Sequence, residues 1–174
     1  LTKEAEKHGH KIISASGSEG TLGKEHLMEL LTLVDKSKYV FVLETNGITI
    51  GHDIEYARSL SKFKNLHVRV SIKGTNKKEY NTLTGAESNS YELPFKALKN
   101  LIDFNISCNA CLMISFSTQK NINEAKKKLS NVWPGLLKSL ELEHITLFPK
   151  VASRLKNADL MPLTFRHGGK IKKF

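Results

Sequence analysis

The stretch Leu66-His67-Val68-Arg69-Val70-Ser71-Ile72-Lys73 decides the fold. At a strand's period of two it separates into an apolar set, Val68, Val70 and Ile72, and a polar set, His67, Arg69, Ser71 and Lys73. Residues 109–116 separate in the same way, with Ala110, Leu112, Ile114 and Phe116 against Asn109, Cys111, Met113 and Ser115. A sheet covered by helices needs an apolar face beneath them, so the polar sets must face a region that tolerates them. The solvated, ligand-holding inner side of a curved sheet meets that need. A flat doubly wound sheet would be apolar on both faces. The expectation is therefore an α/β fold, a partial (β/α) barrel of mostly parallel strands with outer helices.

Working outward, further β-prone apolar runs occur at residues 11–15, 39–43 and 142–148. Helical patterns lie between them. Residues 24–36 carry Leu27, Met28, Leu30, Leu31 and Val34; residues 52–62 use Ile54, Ala57 and Leu60. Residues 91–104 place Leu93, Ala97, Leu98, Leu101 and Ile102 on one stripe, with Pro94 in the first turn. Residues 121–133 repeat the pattern and Pro134 closes it. No internal repeat or low-complexity linker interrupts this order, and hydrophobic periodicity fades from Gly168 onward. The organisation expected is a single domain over residues 1–167 followed by a poorly ordered basic tail, 168–174.

The 174 residues suffice to bury a core, and 40% hydrophobic with 25% charged content is ordinary for a globular protein. No apolar run approaches the roughly 18 residues of a membrane span, so no membrane partner is expected. The net charge of +10 is compatible with an RNA partner or with a lysine-rich solvated surface. Cys108 and Cys111 are too few for a disulfide framework; read as reduced structural thiols, they fit a cytoplasmic protein. The chain opens on Leu1, and residues 2–7 read as a charged helix, so a piece of a longer protein is expected. The seven histidines, His8 and His10 included, complete no metal-ligand spacing.

Three polar motifs sit where strands end: Gly17-Ser18-Glu19-Gly20-Thr21, Glu44-Thr45-Asn46-Gly47 and Ser71-Ile72-Lys73-Gly74. Carboxyl ends of parallel strands are where α/β folds bind ligands. Gly17 permits close backbone approach to a ligand, and Glu19 can accept hydrogen bonds from an ammonium group or serve as a solvated turn residue. Asn46 offers donor and acceptor together, suited to a ribose or a carboxylate, and Asn46-Gly47 is equally a common turn dipeptide. Lys73 can pair with a carboxylate, form a Schiff base, or be a surface lysine.

Taken together these motifs resemble the radical S-adenosylmethionine superfamily, over nearly all of residues 12–148. Gly17-Ser18-Glu19-Gly20 is similar to the family's Gly-Gly-Glu-Pro motif, departing from it at Ser18 and Gly20. Glu44-Thr45-Asn46-Gly47 resembles the strand-end motif of the activating-enzyme branch, and Tyr80-Asn81-Thr82-Leu83-Thr84-Gly85 the loop and short helix placed there. The resemblance implies that S-adenosylmethionine is held by Gly17, Glu19, Thr45, Asn46, Ser71 and Lys73. It implies too that Met113 and Ser115 flank its adenosine.

The same resemblance implies a [4Fe–4S] cluster on a CxxxCxxC triad. This chain has no such triad, so it is expected to hold no metal itself, the cluster belonging to the intact protein. Its expected function is the barrel portion of an enzyme that generates a 5′-deoxyadenosyl radical when intact and is inactive as this piece. A small-molecule cofactor and a protein or RNA substrate would be its partners. Two other readings stand beside it, a lysine Schiff-base, aldolase-like barrel using Lys73 and a basic RNA-binding module.

Overall fold

The computed structural model describes Gly9, residues 11–15 and residues 17–174. The helix expected over residues 2–7, and His8 and His10, lie outside the described residues. Five strands form one sheet in the order β1-β2-β3-β4-β5: β1 Ile12–Ser14, β2 Val40–Thr45, β3 Leu66–Lys73, β4 Ser107–Met113 and β5 Glu141–Glu143. Pairing is parallel, with Phe41 opposite Leu66 and Cys111 opposite Glu141. This is the expected α/β class, a parallel half-barrel sheet with flanking helices.

Helices occupy the connections: α1 Lys24–Asp35, α2 Ile48–His52, α3 Ile54–Leu60, α4 Lys77–Thr84, α5 Leu93–Asp103, α6 Gln119–Val132 and α7 Pro149–Asn157. Chain contacts divide the fold into two units. One holds the described residues up to Ser71 together with Glu92–Ala110; the other holds Ile72–Tyr91 together with Cys111–Phe174.

β3 behaves as its sequence requires. Leu66, Val68, Val70 and Ile72 are buried while His67, Arg69, Ser71 and Lys73 are half-buried, alternating without exception. β4 does not alternate: Asn109, Ala110, Cys111 and Leu112 are all buried. Asn109 tolerates burial because its Oδ1 lies 2.9 Å from His67 Nε2, so its amide is satisfied inside the sheet.

Several boundaries move from the sequence expectation, each for a local reason. The segment expected as one helix over 52–62 is two, because Asp53 takes an extended conformation (φ −119°) and caps α3 by accepting the Glu55 N–H at 2.9 Å. β4 stops at Met113, and Ile114 and Ser117 close a turn through a 3.0 Å backbone bond. β5 stops at Glu143, because the Ile145 N–H donates to Ser115 Oγ rather than to a strand. Residues 170–173, expected to be poorly ordered, form β7 (Lys170–Lys173), antiparallel to β6 (Thr164–His167).

In the first unit α2 packs tightly on α5. Gly51 is fully inside that contact, and a Cβ built on it would overlap the Leu93 carbonyl. Gly51→Ala is therefore expected to force the helices apart and destabilise the protein by about 1–3 kcal/mol. Chemical denaturation of wild type and variant measures this directly; unchanged stability would mean the α2–α5 contact is not close.

Candidate functional site

Within the first unit, the loop after β1 and the end of β2 are joined by one carboxylate. Glu19 Oε1 accepts hydrogen bonds from Thr21 Oγ1 and Thr45 Oγ1, each 2.7 Å, and from Thr21 N at 3.3 Å. Its Oε2 accepts the Asn46 N–H at 2.7 Å. The loop backbone makes this reach possible, because Gly17 and Ser18 both have positive φ, 95° and 33°. Thr45 is buried and also accepts the Gly47 N–H at 3.0 Å; Asn46 Oδ1 accepts the Ile48 N–H and starts α2 after Gly47, whose φ is 74°.

Beside this knot lies a cleft of about 310 Å³ lined by Gly17, Ser18, Glu19, His26, Phe41 and Glu44, among others. Glu19 therefore brings Gly17, Thr45 and Asn46 together at one strand end. Ser71, half-buried on β3, belongs to the same unit, as do Arg69 and Glu44, paired at 3.4 Å. Tyr56 supports the loop from below by donating to Thr21 O at 2.8 Å; burial first, and the Glu19 charge second, push its phenol up to about 12.

The second unit contains the other expected residues. Lys73 is 43% exposed and its ammonium pairs with the Glu143 carboxylate at 3.6 Å. Met113 is half-buried at the end of β4. Ser115 is fully buried, its hydroxyl accepting the Ile145 N–H at 2.7 Å and its carbonyl accepting from Leu163 N and Thr164 N. Its side chain thus anchors the segment after β5.

Sequence reading missed the acid of this unit, Glu79. Its carboxylate accepts from Thr75 N (2.8 Å), Thr75 Oγ1 (2.7 Å), Asn76 Nδ2 (2.9 Å), Ser117 Oγ (2.7 Å) and Asn121 Nδ2 (2.9 Å). Burial alone would raise its pKa, but the bonds from Ser117, Thr75 and Asn121 outweigh burial and hold it below the ordinary 4.5. The spacing Asn76-x-x-Glu79 was a legible signal, since it is that of a capping box.

Among the described residues no group of three or more His, Cys, Asp or Glu side chains is placed to hold a metal ion. Cys108 and Cys111 are thiols rather than a disulfide pair, and burial pushes the Cys108 thiol up to about 11. Two cysteines do not fit a cluster that takes three. No helix among the described residues is long and apolar enough to cross a membrane.

No protein-family model and no curated protein matches this chain. Solved structures do. SuiB of Streptococcus suis, bound to S-adenosylmethionine, superposes with a TM-score of 0.62 at 18% identity, covering 75% of this chain and 29% of that one. The enzyme anSMEcpe with bound AdoMet gives 0.55 at 22% identity, covering 85% and 43%. Its complex with AdoMet and the Cp18Cys peptide gives 0.53 at 21% identity, covering 79% and 40%. The chain thus spans less than half the length of the structures it matches, and what it shares with them is the fold. All three hold S-adenosylmethionine.

Two outcomes follow from the geometry. Ser18 occupies the left-handed region that favours glycine, so Ser18→Gly is expected to stabilise the protein by roughly 1 kcal/mol, read as a rise in the denaturation midpoint. Glu79 has a depressed folded pKa, so its contribution is complete above its unfolded value near 4.5 and is lost as pH falls through the lower folded value. The stability gap between wild type and Glu79→Gln should accordingly be wide at pH 7 and shrink below pH 4.5. A gap that stays constant from pH 7 to pH 3 would mean that the ionised carboxylate contributes nothing.

Proposed function

We propose that this chain is the S-adenosylmethionine-binding barrel portion of a radical S-adenosylmethionine enzyme. The observation that carries the reading is the half-barrel fold it shares with SuiB and anSMEcpe, each solved with that cofactor bound. The first unit supplies chemistry that fits the methionyl ammonium. Glu19 Oε2 carries a single hydrogen bond among the described residues, from Asn46 N, so it retains acceptor capacity toward the adjacent cleft. Gly17 lines that cleft without a side chain. Thr45 and Asn46 orient the carboxylate, while Ser71 and Lys73 are the assigned partners of the ribose and carboxylate. Met113 and Ser115 are assigned to the adenosine side, Ser115 through the segment it anchors.

When bound, the cofactor supplies a 5′-deoxyadenosyl radical in an enzyme that also holds a [4Fe–4S] cluster. The residues of this chain bind and orient; their two cysteines do not furnish the cluster's three thiolates, so the chain by itself is assigned binding without cleavage. The intact enzyme is assigned a cytoplasmic location and a peptide or protein substrate, since anSMEcpe has been solved with a peptide beside its AdoMet.

Calorimetry or ligand-observed NMR with S-adenosylmethionine tests the reading. Without a cluster iron as anchor, affinity is expected on the order of millimolar, about 4 kcal/mol. Glu19→Gln should weaken binding about tenfold, because it removes the charge facing the ammonium, and Lys73→Ala should weaken it several-fold. Equal binding by wild type and Lys73→Ala would take Lys73 out of the site; equal binding by wild type and Glu19→Gln would remove the ammonium subsite.

A further inference from the structure

Glu79 lies in the first turn of α4, where a glutamate ordinarily needs only to complete the cap. Part of its bonding does so: Asn76 Oδ1 accepts the Glu79 N–H at 2.9 Å, and the carboxylate accepts Asn76 Nδ2 and the Thr75 N–H in return. The remainder goes elsewhere. Ser117 Oγ and Asn121 Nδ2 donate to the same carboxylate from 38 and 42 residues away, at the turn after β4 and the first turn of α6. Thr75 and Ser117 are both buried, so these bonds have little competition from water.

The backbone around Glu79 has no slack. Gly74 follows Lys73 with φ 81°, and a Cβ there would lie 2.8 Å from Glu79 Cβ. Lys73 is thus one residue from a backbone pressed against Glu79, and Ser115 two residues from Ser117. A carboxylate only accepts, and this one receives five donors from three segments. An amide in its place would set its own NH₂ against donors on whichever side it turned.

We propose that Glu79 is a positioning residue that locks the loop after β3 to the turn after β4, so that the strand-end residues Lys73 and Ser115 are held as one preorganised set. The lock is a property of the second unit. Its value for S-adenosylmethionine binding rests on the function proposed above. A helix cap would be indifferent to Ser117 and Asn121, whereas a lock transmits a change at either of them to the β3 side.

Ser117→Ala with Asn121→Ala removes the long-range arm and leaves the cap intact. Amide hydrogen exchange on this double variant should show the Thr75 N–H exchanging at least fivefold faster, with the interior amides of α4 unchanged. S-adenosylmethionine affinity should fall at least fivefold in the double variant and at least tenfold in Glu79→Gln. Unchanged exchange at Thr75 in the double variant would overturn the lock and leave Glu79 a cap. Accelerated exchange with unaltered affinity would overturn the preorganisation of the site. Should the wild type bind no S-adenosylmethionine, the cofactor reading falls by itself, and the Thr75 exchange rate still decides the lock.

Discussion

Val68, Val70 and Ile72 are completely withdrawn from water, and the residues between them on β3 are not. Burying side chains of this kind is worth about 1.5–3 kcal/mol each, and the gain requires every second residue to face the helices. A register shift of one residue would exchange the two faces and bury His67, Arg69, Ser71 and Lys73 instead. The polar face is therefore a consequence of the apolar one. It becomes useful because Arg69 pairs with Glu44 and His67 sits between Ser107 and Asn109 at 2.8 and 2.9 Å.

The loops at the strand ends are held by carboxylates. Glu19 in the first unit and Glu79 in the second act through the same physics, in which an acceptor-only group gathers hydroxyl, amide and backbone donors from segments distant in sequence. Charge-assisted bonds of this kind are stronger than neutral ones, and several donors on one carboxylate favour its ionised form. Loops tied this way can present glycine and left-handed residues, such as Gly17 and Ser18, without depending on strand pairing for their shape.

The difference between the two carboxylates lies in what remains unsatisfied. Glu79 receives donors on both oxygens from within its own unit, whereas Glu19 presents Oε2 with one hydrogen bond next to a cleft. The first arrangement fixes positions; the second leaves room for a cation. Lys73 is intermediate, partly exposed and paired with Glu143, so an incoming carboxylate would have to compete with that pair.

Sequence alone determined the alternation of strands and helices, the two faces of β3, and the turn at Asn46-Gly47, because each depends on periodicity or on backbone preferences carried by a few adjacent residues. It also marked Asn76 and Glu79 as a cap by their spacing. The break at Asp53, the burial of Asn109 and Ser115, and the reach of Glu79 to Ser117 and Asn121 were decided only by tertiary structure. Each of these depends on a hydrogen-bond partner supplied from elsewhere in the fold or on a cap competing with helix continuation. A polar residue's fate is set by the donors and acceptors that packing brings to it, which hydrophobic spacing does not encode.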